Sequence, residues 1–301
     1  MAIQRILKDP GQYAIMALGR VLPDTIPADR LYLKILYRNR MHKLLNLDNP
    51  QTYNEKLQWL KLYDRNPLYT TLVDKYAVKL YVAEKIGAEH VIPTLGVWDR
   101  FEDIDFDALP EQFVLKCTHD SGGLVICRDK SEFDREKARN IMNHGLHRKY
   151  YLNTREWPYK NVKPRIIAEQ YMEDESGYEL KDYKFFVFDG TMRAMFIATD
   201  RTAKTETCFD FFDRDFKHLP FTNGHPNAAH ALKKPENYEQ MIALAEQLGK
   251  GLPQARIDLY NIRGEIYFGE ITFFHWSGFK PFVPEEWDYT FGSWIKLPKK
   301  E

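Results

Sequence analysis

Short apolar runs alternate along this chain with clusters of Gly, Pro, Asn and Asp, a pattern that predicts strands and helices mixed in one α+β protein. Strands are expected near 91 to 92, 96 to 98, 113 to 117, 124 to 127, 165 to 171 and 207 to 212. Two hairpins are expected: 182 to 188 turns back into 191 to 198 through Asp189-Gly190, and two strands within 255 to 272 meet at Arg263-Gly264. Thr52-Tyr53-Asn54-Glu55, behind Pro50, is a capping box that should open a helix running to about Tyr63. Further helices are expected from near Asp74 to Ile86, closed by Gly87, from Ser131 with Asp134 three residues on, and from 235 to 250. Lys149 to Lys163, with Tyr150, Tyr151, Trp157, Pro158 and Tyr159, reads as an irregular aromatic loop.

Two of these segments carry candidate chemistry. The strand Phe113-Val114-Leu115-Lys116-Cys117 delivers one lysine and opens into Thr118-His119-Asp120-Ser121-Gly122-Gly123, a polar loop ending in two glycines. A fixed cation followed by a turn whose N–H groups can approach oxygen without a Cβ clash is what a phosphate site needs, although an ordinary strand end looks the same. In the last hairpin, face parity decides what Asp258 and Glu270 can do. A two-residue loop pairs Asp258 with Gly269 and sends Glu270 to the opposite face. A three-residue loop of Ile262, Arg263 and left-handed Gly264 sets Asp258 opposite Phe268 and on the face of Glu270, as diagonal neighbours about 7–8 Å apart. The second arrangement is the one expected, and it lets both carboxylates bridge Mg²⁺ and its phosphate ligands. Two solvated strand acids are the alternative.

Composition narrows the classes. At 301 residues the chain can bury a large core and hold about two lobes, and 44% hydrophobic with 14% aromatic content is too rich for disorder. Lys plus Arg and Asp plus Glu number 43 each, so no overall bias toward nucleic acid exists. Cys117, Cys127 and Cys208 have no C-x-x-C spacing, which points to reduced thiols and no structural zinc. No apolar run nears 18 residues and the start lacks the apolar core of a signal peptide, so a cytoplasmic protein is expected. Residues 1 to 43 hold eight basic groups against three acids, interleaved with Ile, Leu and Tyr. That suits a basic helical arm, spanning 1 to 47, that faces membrane lipid, an anionic glycan or a partner, or else a plain surface helix.

Collected, the motifs resemble the ATP-grasp superfamily and are similar to its TupA-like branch, associated with teichuronopeptide and capsular polysaccharide synthesis. The resemblance covers roughly residues 48 to 285 and rests on Tyr53-Asn54-Glu55-Lys56-Leu57, Asp74-Lys75-Tyr76, the Lys116 strand and loop, Glu169-Gln170-Tyr171, Asp182-Tyr183-Lys184 and Gly269-Glu270-Ile271-Thr272. It implies an ATP-grasp fold over 48 to 301, with a nucleotide lobe near 74 to 165 and a second lobe near 166 to 290 clasping ATP. By the same resemblance, Lys75 and Lys116 would contact ATP phosphates, and residues 118 to 123, including His119, Ser121, Gly122 and Gly123, would form a flap over them. Glu169, Gln170 and Tyr171 would present the hinge to adenine, and Glu179, or Glu173 instead, would take the ribose. Asp258 and Glu270 would hold Mg²⁺, with Thr272 where the family usually has asparagine. Arg256 would neutralise the transferred phosphoryl group, and Lys184 and Arg201 would face acceptor or phosphate.

The implied reaction is carboxylate activation by ATP through an acyl phosphate, followed by capture with an amine. For the TupA-like branch the implied acceptor is a uronic acid on a glycan, with an amino acid or small amine as partner; His275, Trp276, Ser277 and Gly278 could line its cleft, though a core tryptophan is the commoner case. Two rival classes remain open. A metal-dependent glycosyltransferase would use an Asp-x-Asp pair, and Asp105-Phe106-Asp107 and Asp213-Arg214-Asp215 both match; a non-catalytic glycan-binding relative is favoured only by Thr272. Walker-type G-x-x-x-x-G-K, H-E-x-x-H and G-x-S-x-G motifs are absent.

Overall fold

In the computed structural model, residues 10–174, 180–199 and 206–300 are described. The chain opens with helices α1 (Pro10–Val21) and α2 (Ile26–Met41), then α3 (Tyr53–Tyr63), α4 (Leu68–Val73) and α5 (Ala77–Ile86). Strands β1 (Thr94–Trp98), β2 (Phe113–Cys117) and β3 (Leu124–Cys127), helix α6 (Arg135–Leu146) and strand β4 (Ile166–Gln170) follow. The second half contains β5 (Asp182–Phe188), β6 (Thr191–Thr199), β7 (Cys208–Phe212), β8 (Thr222–Asn223), α7 (Tyr238–Gly249), β9 (Ala255–Ile262), β10 (Glu265–Thr272), β11 (Phe282–Val283) and α8 (Glu286–Trp294).

Two antiparallel sheets organise these elements, in the orders β1-β4-β2-β3 and β10-β9-β5-β6-β7. In the first, Phe113, Leu115 and Cys117 of β2 and Ile166 and Ala168 of β4 join α6 residues Ala138 and Met142 in one small core. Strand periodicity therefore turns Lys116 and Glu169 to the opposite face. The division expected at residues 165 and 166 falls just before β4, which pairs with β1 and β2 and so completes the first sheet. The second sheet buries Phe185, Ile257 and Leu259 against Tyr238, Met241 and Ile242 of α7 within the larger core. On its other face Phe186 meets the rings of Phe196, His275 and Phe291, so aromatic packing fills that face beside the charged residues described below.

Several expectations change in detail. The capping box at Thr52 and Glu55 forms as read. The helix expected from near Asp74 to Ile86 forms but starts at Ala77, because Asp74 turns its carboxylate onto the N–H groups of Tyr76 and Ala77 (2.9 and 3.3 Å), leaving Lys75 between α4 and α5 rather than on a helix. The next helix begins at Arg135, not Ser131: Asp134 is its N-cap and accepts from the N–H of Lys137, while Ser131 is held in a 3-10 turn by Asp129. The N-terminal region is also more integrated than a free arm. Tyr32, Leu33 and Leu36 of α2 are fully buried in the larger core, and Arg155 bonds Asp29 at 2.7 Å. Burying side chains of that size contributes about 1.5–3 kcal/mol each, enough to make α2 part of the body. Among the described residues no helix is long and apolar enough to cross a membrane.

Candidate functional site

Both sheets contribute to one cleft of about 300 Å³, lined among others by Lys75, Lys79, Lys116, Glu169, Asp182, Lys184, Asp258 and Glu270. Its first end is cationic. Lys116 and Lys79 each meet one oxygen of the buried Glu169 carboxylate at 2.5 Å. Burial works to raise the Glu169 carboxyl, but the two lysines outweigh it and hold it below its ordinary range. Lys75 is placed by the break before α5: its N–H donates to the carbonyl of Thr118 (3.1 Å) and its ammonium to the carbonyl of Asp120. Burial lowers its pKa, opposed by Glu270 and Asp120. Ser121, Gly122 and Gly123 line the cleft beside it, and Gly122 takes a φ of 118° that an L side chain rarely adopts.

The acidic end is built by the last hairpin, and by a route other than the expected one. Ile262 pairs with Glu265, so the loop has two residues, Arg263 and Gly264, with φ of 53° and 90° as in a type I′ turn. Such a loop alone would send Glu270 away from Asp258. A bulge between Phe268 and Glu270 restores parity: Gly269 is the extra residue, and Glu270 lies directly opposite Asp258 rather than diagonal to it. A Cβ on Gly269 would stand 3.1 Å from the carbonyl oxygen of Asp258, a tight contact that glycine avoids.

Asp258, 1% exposed, is gripped on both oxygens: Arg256 Nε and Nη2 donate to Oδ1 and Oδ2 at 2.7 Å, and Lys184 meets Oδ2. Burial pushes its carboxyl up, against the pull of Arg256 and Lys184. Arg256 Nη2 also donates to Glu270 Oε1 and to Thr272 Oγ1, both at 3.0 Å. Burial opposes ionisation of Glu270, yet Lys184, Arg256 and Lys75 hold it at about 2. Its side chain is 46% exposed, so Glu270 is the more accessible of the two carboxylates.

Not every expected residue joins this cleft. His119 turns its Nε2 toward the carbonyl of Arg148 (3.2 Å) and is absent from the cleft lining. Gln170 and Tyr171 line an adjoining pocket of about 330 Å³ with Val114, Leu124, Ile126 and Tyr260, while Glu169 borders both spaces. Glu179 and Arg201 lie outside the described residues. Asp105 and Asp213 cap their own turns, accepting from the N–H groups of Asp107 and Asp215 at 3.0 Å, and neither lines the cleft. Two charged residues of the cleft had no expected role. Lys79, in none of the motifs, shares Glu169 with Lys116, and Asp182, present in a motif without a function, pairs with Lys184 at 2.6 Å. The second was legible, since Asp182 and Lys184 alternate on one strand and must share a face.

Asp258 and Glu270 line the cleft and offer the oxygen ligands that suit Mg²⁺ when substrate phosphates and water complete the shell, whereas Thr272 lies outside the lining, its Oγ1 accepting from Arg256 and donating to Glu270. Among the described residues no three His, Cys, Asp or Glu side chains gather as a metal site.

No curated protein matches the chain. Solved structures similar to it include D-alanine–D-alanine ligase from Bacillus anthracis complexed with ATP, at 14% identity and TM-score 0.39, with 67% of this chain and 53% of that one covered. An L-amino acid ligase from Bacillus licheniformis aligns at 14% identity and TM-score 0.46, covering 75% of this chain and 49% of the other. The chain thus spans about half the length of these two proteins. The family model described as TupA-like ATPgrasp matches residues 55–296, most of the sequence and every cleft residue named above, and the chain belongs to the TupA-like ATP-grasp family.

Proposed function

We propose that the cleft binds ATP with Mg²⁺ and that the protein is an ATP-dependent carboxylate-amine ligase. The observation that carries this reading is the polarity of a single cleft. At one end Lys116 and Lys79 share Glu169 with Lys75 beside them on the Asp120 carbonyl, and at the other Asp258 and Glu270 face them with Lys184, backed by Arg256. A nucleotide triphosphate meets both ends at once: its phosphate oxygens suit the lysines and the glycine loop, and its metal suits the carboxylates. The adjoining pocket, with apolar Val114, Leu124 and Ile126 beside Gln170 and Tyr171, has the character a purine ring requires.

In the proposed reaction an acceptor carboxylate oxygen attacks the γ-phosphorus, the bond to the β-phosphate oxygen breaks, and ADP leaves. The amine then attacks the acyl carbon and inorganic phosphate departs, leaving an amide. When bound, Mg²⁺ would offset phosphate charge as a Lewis acid held by Asp258 and Glu270. The chain's own residues orient and neutralise: Lys75, Lys79 and Lys116 for the phosphates, Arg256 and Lys184 for the transferred group. The family's association with surface polysaccharide synthesis supports a uronic acid as the carboxylate and an amino acid or small amine as the nucleophile.

Thermal stabilisation by ATP with Mg²⁺, compared with sugar nucleotides, is the first test, followed by ADP release across uronic acids and amines. Stabilisation by ATP and amide-linked product are expected. Stabilisation only by a sugar nucleotide would overturn the reading, and ATP binding with no ADP from any pair would make the protein a non-catalytic relative.

A further inference from the structure

Behind Arg256 runs a chain of hydrogen bonds whose polarity is set from both ends. Asn223, 1% exposed on β8, donates through Nδ2 to the carbonyls of Lys280 (3.2 Å) and Pro281 (3.1 Å). Carbonyls only accept, so that atom is the amide nitrogen and Oδ1 is the atom turned to His275 Nε2, 3.0 Å away. An amide oxygen only accepts, so Nε2 carries the proton. The other imidazole nitrogen, Nδ1, lies 2.8 Å from Arg256 Nη1, and a guanidinium only donates. Nδ1 must therefore be the bare, accepting nitrogen. Each end admits one solution, and the two solutions agree.

We infer that Asn223 and His275 are positioning residues: they hold the Arg256 guanidinium in the plane from which it bridges Asp258, Glu270 and Thr272, and His275 does so only as the neutral Nε2–H tautomer. Nε and Nη2 fix one edge of the guanidinium on Asp258, Glu270 and Thr272; Nη1 is the remaining arm, and His275 accepts from it, bracing the opposite edge. The rings of Phe186 and Phe196 lie 5.0 and 5.4 Å from the imidazole, which limits its tilt. The charged groups that act on His275 are Arg256 and Lys184, both cationic, so an imidazolium would place a third positive charge against them. Burial first, then those two cations, lowers its pKa well below the ordinary histidine value.

This role in catalysis rests on the ligase reading, but the hydrogen-bond relay does not, and the test separates them. Imidazole ¹⁵N spectra of histidine-labelled full-length protein, with His275 assigned by its loss in His275→Asn, should show a protonated Nε2 and a bare Nδ1, unchanged from pH 8 to 5.5. An Nδ1–H tautomer, or titration near the ordinary value of about 6.5, would overturn the proposal whatever the protein catalyses. Asn223→Asp keeps the shape, adds an anion that favours the imidazolium, and should move protonation of His275 upward by about a unit or more. The activity arm measures ADP release from ATP and Mg²⁺ in the presence of the uronic acids and amines named above. His275→Phe retains a ring without an acceptor and should lower kcat about 10 to 100-fold, the loss expected when a group oriented for the transition state is left loose, with KM for ATP nearly unchanged. His275→Asn, whose Oδ1 can take the place of Nδ1, should recover most of that loss. Equal activity of His275→Phe and wild type, with the spectra as expected, would leave the relay but remove its role in phosphoryl transfer. Absence of any ADP from wild type would count against the ligase reading alone.

Discussion

The two ends of the cleft solve the same physical problem with opposite signs. In the first sheet a single buried carboxylate, Glu169, is shared by Lys116 and Lys79, with Lys75 close by on a carbonyl oxygen. In the second, Lys184 and Arg256 are shared by Asp258, Asp182 and Glu270. Pairing inside each cluster offsets part of the cost of burial, yet the first holds more cations than acids and the second more acids than cations, so positive charge is left at one end and negative at the other. A polyanion carrying a divalent cation completes both. Both acids lie beside a register shift: Glu169 pairs regularly with β2 but at a shift between Thr94 and Gly96 of β1, and Glu270 follows the bulge at Gly269 in its own strand.

The comparison can be broken most sharply at the acidic end. Glu270→Gln removes a charge from an accessible side chain and should leave the fold intact while lowering ADP formation by at least about 10²-fold. Asp258→Asn should lose as much but destabilise as well, because it strands Arg256 and Lys184, and the double variant should be scarcely less active than either single one. Additive losses in steady-state turnover would show that the carboxylates do not act as a unit. At the cationic end Lys116→Ala removes a charge-assisted phosphate contact worth about 1.5–3 kcal/mol, a fall of roughly 10 to 150-fold in ATP affinity measured by calorimetry. Unchanged affinity in the folded variant would dissolve the contrast between the ends.

Finer effects sharpen it. Lys79→Met should weaken ATP by a smaller factor than Lys116→Ala, on the order of 10-fold at most, since its ammonium also donates to the carbonyl of Ile92 at 2.6 Å. A larger loss at Lys79 would reassign the principal phosphate lysine. The smallest effect concerns pH. Glu270 is held at about 2, below the value of about 4.3 expected when unfolded, so its contribution to stability is complete above about 4.3 and is lost as pH falls through about 2. Wild type and Glu270→Gln should therefore converge in stability on acidification across that window. With 46% of the side chain exposed, solvent screening keeps the difference small, and divergence of the two melting curves on acidification would contradict the sign.

Local rules made much of this protein legible. The capping box at Thr52, the Asp189-Gly190 hairpin and the strand that carries Lys116 all follow from interactions spanning a few residues, where turn chemistry and period-two alternation leave few options. The same locality explains why Arg256, Asp258 and Glu270 could be read as neighbours. Other features depend on groups distant in sequence. Nothing within 74 to 77 announces that Arg165 will hold the second oxygen of Asp74 at 2.8 Å while the first caps Tyr76 and Ala77. Nor does any spacing say that Lys79 and Lys116 will meet on Glu169, or that Asn223 will stand behind His275. The bulge at Gly269 shows the division most plainly. The turn residues alone leave the loop open between two and three residues, with three the expected length. The structure makes it two, and one extra residue resets strand parity at little local cost, so packing and charge pairing across the sheet decided which face Glu270 would occupy.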